Sequence, residues 1–226
     1  MTAAVGSVTV DDARAALRRG EAVVLPNPAP LTCVVAATDV QVVNTTKGRP
    51  ADQAVALWAH HPDTLHALGR ALALDTEATA LAHRLLTEER VTLLVPLHPD
   101  TPLPGWLAPA ARDGWALLFG ARWAPLLPVL TPCPVLYVSS ANRTGHAPAA
   151  TAADALAMFP AGTPVLAAAD DDTDTGTGRR RRRATTTLRL HPDQRIELHR
   201  HGAQDHPYPD PAHYLAQLHA RYRPSP

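Results

Sequence analysis

Residues 134–145 read PVLYVSSANRTG: an apolar run from Val135 to Val138 that stops abruptly at Ser139, Ser140, Asn142 and Thr144. A short apolar run bounded by proline and polar residues is the pattern of a buried strand. Short hydrogen-bonding side chains at its C-terminal end stand where open α/β sheets hold their ligands. Hydroxyls and carboxamides there satisfy phosphate oxygens without adding charge. A polar turn capping a strand requires the same residue types, so this stretch alone establishes a strand and a turn.

Working outward, further short apolar runs at 21–26 (EAVVLP), 31–37, 91–96 (VTLLVP), 115–119, 165–169, 185–190 and 195–198 read as strands. Helical spacing appears at 8–19, 62–70, 77–86, 151–159 and 213–222. In the first of these, Asp11 and Asp12 stand as the capping residues, and in the fourth Thr151 does. Strands interleaved with helices argue for an α/β sheet covered by helices. The 23 prolines punctuate element ends and never cluster into a linker. The expectation is therefore one domain over residues 1–205, with residues 206–226 forming a C-terminal helix and tail packed on it or extending from it.

Composition narrows the class. Hydrophobic residues make up 46% and charged residues 19%, as in globular proteins. Lys+Arg and Asp+Glu are 21 each, so no overall field draws the chain to polyanions. No apolar run is long enough to cross a bilayer, and residues 1–10 lack the pattern of a signal peptide. Cys33 and Cys133 have no CxxC spacing and read as two free thiols in a reducing, cytoplasmic setting. The histidines match no common metal spacing, so no structural metal is expected. Residues 170–183 (DDDTDTGTGRRRRR) read as a mobile, charge-balanced surface loop.

Of the 21 basic residues only Lys47 is a lysine. It lies in residues 45–50, TTKGRP. Taken as an extended loop, that stretch projects Lys47 and Arg49 to the same side, where both cations converge on one anion. Gly48 permits close backbone approach. A lysine is a compact point charge, suited to a phosphate oxygen in a tight space. Residues 185–190 (TTTLRL) and 199–203 (HRHGA) add an alternating strand and a turn carrying Arg200.

Together these stretches resemble the YrdC/Sua5 (threonylcarbamoyl-adenylate synthase) family. Its K-x-R-P loop, S-A-N-x-[ST]-G strand end, S-T-[VI] strand and R-P-G-A turn correspond in order to Lys47-Gly48-Arg49-Pro50, Ser140-Ala141-Asn142-Arg143-Thr144-Gly145, Thr185-Thr186-Thr187 and Arg200-His201-Gly202-Ala203. The resemblance implies a single YrdC-like α/β domain, a twisted mixed sheet with helices around a concave nucleotide-binding cavity. It also implies an enzyme that uses ATP with Mg²⁺, bicarbonate and an amino acid to make threonylcarbamoyl-AMP for t6A modification of tRNA. The partners implied by the resemblance then include tRNA or the proteins of its modification.

Carried across residue by residue, Lys47 and Arg49 act on the phosphates, with Ser140, Asn142, Thr186 and Arg200 completing the nucleotide site. Asn27, Trp58, Arg122 and Thr185 fall on the acceptor side. The family's P-T-x-T-x-Y-G-L segment corresponds here to residues 26–33, PNPAPLTC. Its P-G-P-x-T segment corresponds to residues 88–92, EERVT. The phosphate side is thus retained and the acceptor side rebuilt. That leaves open a paralogue making a carbamoyl-adenylate on another acceptor, and a non-catalytic RNA- or nucleotide-binding module.

Overall fold

The computed structural model describes residues 6–167 and 182–222. Nine strands form one mixed sheet in these residues: β1 (Val23–Leu25), β2 (Val34–Ala37), β3 (Ala56–Trp58), β4 (Thr92–Pro96), β5 (Ala111–Arg112), β6 (Trp115–Phe119), β7 (Tyr137–Ser140), β8 (Thr187–Leu190) and β9 (Ile196–Arg200). Their order is β1-β2-β7-β3-β6-β4-β8-β9, with β5 pairing beside β6. The β3–β6 and β4–β8 pairs are parallel and the others antiparallel. The helices are α1 (Val10–Arg18), α2 (Val40–Lys47), α3 (Pro62–Leu68), α4 (Thr76–Arg84), α5 (Leu127–Leu130), α6 (Ala152–Met158) and α7 (Pro211–Tyr222).

Successive strand residues point to opposite faces, and the core divides accordingly. Val24, Val35, Ala37, Leu57, Leu93, Val95, Leu118 and Leu188 belong to one buried cluster, with Val43 of α2, Leu68 of α3, Leu81 of α4, Ala155 of α6, and Tyr214, Leu218 and Tyr222 of α7. Val23, Leu25, Val34, Ala36, Ala56, Trp58, Phe119 and Val138 belong to the other, which α1 and α5 cover. The second face has fewer helices over it than the first. Its uncovered part becomes the cavity described below.

Several expectations shift. Thr9, not an aspartate, caps α1: its hydroxyl accepts from Asp12 N while the Asp12 carboxylate accepts from Thr9 N. That closed pair satisfies two otherwise free amides. Thr151 caps α6 in the same way with Asp154. The strand expected at 135–138 runs from Tyr137 to Ser140, because the two serines still pair with β2 (Val34↔Ser140, Val35↔Ser139). At 165–169 only isolated bridges form, Val24↔Val165 and Val8↔Leu166, and residues 168–169 lie outside the described region. Most of the expected loop at 170–183 also lies outside it. Its last two residues are fixed: Arg182 Nη1 donates to Asn27 O and Leu31 O at 3.1 and 3.3 Å, and Arg183 pairs through its backbone with Pro30 and Thr32.

The larger correction is α2. VQVVNTTK is rich in β-branched residues that favour strands, yet it is helical and ends on Lys47. Asp39 caps it by accepting from Gln41 N, and Gly48 closes it at φ 64°, donating to Asn44 O and Thr45 O. Burial of Val43 and Asn44 outweighs the weak local propensity. Lys47 and Arg49 are thus the last helical residue and the residue after the cap, not alternate positions of an extended loop. Central strand β3, inside the apolar run 54–59 (AVALWA), and the short helix α5 were also missed.

Gly202 sets where Arg200 goes. A Cβ there would lie 2.2 Å from Thr186 N and 2.4 Å from Thr185 C, so the turn after β9 packs directly on the backbone leading into β8. Thr186 and Asp205 lock that contact, with Thr186 Oγ1 donating to Asp205 Oδ1 (2.6 Å) and Gly202 N donating to the same oxygen (2.7 Å). We expect Gly202→Ala to destabilise the fold by at least about 1–3 kcal/mol, since both contacting atoms are backbone and cannot rotate away. A thermal melt checks this; a transition within a degree of wild type would show that the turn relaxes freely.

Candidate functional site

A cavity of about 240 Å³ lies on the less-covered sheet face. Its floor is apolar, from Val34 (β2), Ala56 (β3), Leu117 and Phe119 (β6) and Val138 (β7). Its polar wall is formed by Asn27, Thr32, Arg49, Gln53, Thr92, Ser139, Ser140, Thr185 and Arg200. Among the described residues no carboxylate, histidine or cysteine lines it. The cavity is smaller than the ~300 Å³ at which pockets for drug-sized molecules begin. It therefore suits a small molecule or part of a phosphate chain, with any larger group leaving through the mouth.

The end of α2 is bound to the end of β7. Lys47 Nζ donates to Ser140 O, to Ser140 Oγ at 3.4 Å and to Asn142 Oδ1 at 2.8 Å. Ser140 Oγ also donates to Asn142 Oδ1 (2.7 Å), and Asn142 Nδ2 donates to His146 O (3.0 Å). Backbone Thr144 N donates to Lys47 O, and Thr144 Oγ1 to Gly48 O, both at 3.3 Å. The S-A-N-x-T-G stretch is therefore the cradle for the lysine, supplied by neutral oxygens alone. Among the described residues no carboxylate lies in salt-bridge range of Lys47. Burial, followed by the positive charges of Arg49 and Arg200, pulls its pKa down to about 7.

Arg49 Nε donates to Asn44 Oδ1 at 2.5 Å, and its Nη2 is buried with no hydrogen-bond partner. Arg200, on the last residue of β9, reaches Thr185 O at 3.5 Å. Burial lowers the pKa of both guanidiniums, which nonetheless stay charged near neutral pH. Thr185 and Thr92 join hydroxyls at 2.6 Å across the cavity wall. Asn27 donates through Nδ2 to Thr32 O (2.9 Å), which leaves its Oδ1 buried and unpartnered. Orphaned buried polar atoms are uncommon, and both of these belong to cavity residues.

Of the residues singled out from the sequence, Arg49, Ser140, Arg200, Asn27 and Thr185 line the cavity, and Lys47 and Asn142 stand directly behind Ser140. Three do not fit their expected places. Trp58 is wholly buried in the core, its Nε1 donating to Ala121 O (2.9 Å) and its ring edge-on to Phe119. Its indole is already satisfied and offers nothing to an acceptor. Arg122 is half-buried but lies off the cavity wall. Thr186 is fully buried, and its hydroxyl is committed to Asp205 and to the amides of Gln204 and Asp205. Gln53, Thr32 and Asn44 were missed. They come from a polar stretch and a weak helix whose place beside β7 no local pattern reveals.

No family profile and no curated protein matches the sequence. Solved structures do match. P. abyssi Sua5 complexed with L-threonine superposes on 86% of this chain and 55% of its own, with a TM-score of 0.62 and 17% identity. E. coli YciO matches 85% of this chain and 88% of its own, at TM-score 0.59 and 12% identity. The fold is that of the YrdC/Sua5 proteins. Full-length HypF in a phosphate- and nucleotide-bound form also matches, over 86% of this chain but 29% of its own, at TM-score 0.60 and 14% identity. This YrdC/Sua5-like chain thus spans little more than half the length of the Sua5 structure it matches.

The Lys47 titration gives a signed prediction. Below about pH 7 the ammonium attracts anions; above it the amine does not. Sulfate, whose charge is constant over this range, should bind about tenfold more weakly at pH 8 than at pH 6, and Lys47→Met should flatten the profile. Stability moves the other way. The unfolded chain keeps the proton up to the ordinary lysine pKa, so this group adds stability as pH rises from about 7 towards 10.5. Calorimetry with sulfate at several pH values checks the first effect. A pH-independent affinity would mean that Lys47 keeps its proton throughout.

Proposed function

We propose that the cavity forms an acyl-adenylate. It holds the phosphates of ATP against Lys47, Arg49 and Arg200 and presents a carboxylated amine, made from an amino acid and bicarbonate, to the α-phosphorus. The observation that carries this reading is the convergence of Arg49 and Arg200 on one cavity, with Lys47 bound to its wall residue Ser140 and no carboxylate among the described residues lining it. A site built in that way is complementary to a polyanion and does not neutralise itself.

The chemistry needs no nucleophile from the protein. A carbamate oxygen attacks the α-phosphorus, a new P–O bond forms, and the bond to the β-phosphate bridging oxygen breaks to release pyrophosphate. Negative charge on the non-bridging oxygens is stabilised by cations already fixed in place. Ser140, on the cavity wall, and Asn142 hold the Lys47 ammonium, and Thr185 with Thr92 supplies hydroxyls at the wall. Magnesium enters this reading as part of the MgATP substrate.

The bound L-threonine of the Sua5 match supports an amino acid as acceptor. Threonylcarbamoyl-AMP for tRNA modification is the form of the reaction that the K-G-R-P and S-A-N-x-T-G stretches favour. The P-N-P-A-P-L-T-C segment, which puts Asn27 and Thr32 in the wall, favours a different acceptor. The reaction is expected in the cytoplasm, and no helix among the described residues is long and apolar enough to cross a membrane.

Pyrophosphate release with MgATP, bicarbonate and a panel of amino acids tests the proposal. Release should require all the components and fall about 10²–10³-fold in Lys47→Ala and Arg49→Ala. Release with threonine alone selects tRNA modification, and release with another amine selects a specialised product. Nucleotide binding without any turnover would replace the enzyme with a binding module.

A further inference from the structure

Asn44 is fully buried in α2, one turn before Lys47, and no apolar packing explains a carboxamide there. Its Nδ2 donates to Ala51 O (2.8 Å) and Gln53 O (2.9 Å), and its Oδ1 accepts from Arg49 Nε (2.5 Å). Carbonyl oxygens only accept and a guanidinium only donates, so a single orientation of the amide satisfies all three partners. Arg49 is held a second time, by its backbone N–H to Asn44 O at 3.1 Å. The segment pinned by Nδ2 carries Gln53 and leads into Ala54, Val55 and Ala56, all of which line the cavity.

Alternatives at this position each lose something. An aspartate would accept from Arg49 but neutralise it, and would turn lone pairs towards two carbonyls. A leucine would fill the volume and leave the guanidinium and both carbonyls unpaired. Only a short carboxamide aims the cation, keeps its charge and ties down the neighbouring chain.

We propose that Asn44 is the positioning residue of the cavity: it fixes the guanidinium plane of Arg49 while leaving its charge for an incoming anion. The proposal rests on the reading of the cavity as an anion site. It makes Asn44 act through Arg49, which a merely structural asparagine would not do.

A double-mutant cycle separates the two. Sulfate and MgATP binding are measured by calorimetry for wild type, Asn44→Ala, Arg49→Ala and the double variant, with thermal melts alongside. The expected result is that Asn44→Ala weakens both ligands about tenfold, and that the double variant binds no more weakly than Arg49→Ala alone. A lower melting temperature with unchanged affinity, or losses that simply multiply, would reduce Asn44 to a structural role. Asn44→Ser is the milder variant if Asn44→Ala does not melt cooperatively; failure of both to fold would also count against positioning. Absence of sulfate and MgATP binding in wild type would defeat the anion-site reading itself, before any variant is compared.

Discussion

A lysine ammonium buried among neutral oxygens is the constraint around which this site is arranged. Transferring a charge from water into a protein interior is costly unless it is paired or fully hydrogen-bonded. Lys47 has no carboxylate partner among the described residues; it has the carbonyl and hydroxyl of Ser140 and the amide oxygen of Asn142. Those bonds offset part of the cost, and Arg49 and Arg200 add to it. The residual strain is removed most simply by an anion. A bound phosphate chain would return the lysine to its charged state and give the cavity its missing countercharge.

The same economy of charge extends to the supports. Arg14, Arg19, Arg195 and Arg221 pair with carboxylates, but the cations at the cavity are supported by carboxamides. Asn44 holds Arg49, Asn142 holds Lys47, and Gln204 ties the turn carrying Arg200 to Thr186 N and to the carbonyls of Glu89 and Arg90. An amide donates and accepts in a fixed plane, so it orients a cation without cancelling it. Asp205, a buried carboxylate nearby, hydrogen-bonds Thr186, Gly202 and His201 and does not line the cavity. Burial works against its ionisation, but those hydrogen bonds prevail and hold its pKa below the usual value. It secures the turn, and Gly202 lets that turn approach closely enough to matter.

Much of the architecture was legible because it rests on local signals. VTLLVP at β4 and the run at Trp115–Phe119 are apolar over the length of a strand, and Thr151 with Asp154 spells out a helix start. The helix α2 was not legible, and strand β3 was missed. VQVVNTTK has the residue types of a strand, and β3 has only three residues, Ala56–Trp58, inside the apolar run 54–59 (AVALWA). Both are settled by tertiary burial: Val43 and Asn44 close against the sheet, and β3 is held between β6 and β7. Trp58 illustrates the limit of motif reasoning, since its position along the chain matched a substrate-facing stretch while its indole is spent in the core.

The sequence by itself determined an α/β domain and the order in which the K-G-R-P and S-A-N-x-T-G residues occur, because periodicity, capping and short stretches of this kind are properties of neighbouring residues. Only the tertiary structure decided which of those residues meet. Lys47 and Ser140 are far apart along the chain and are joined because α2 ends beside the end of β7. The cavity itself is a consequence of unequal cover: every strand offers residues to both faces, and the helices leave part of one face open. No local pattern encodes that difference, since it depends on where each helix lands after the sheet has formed.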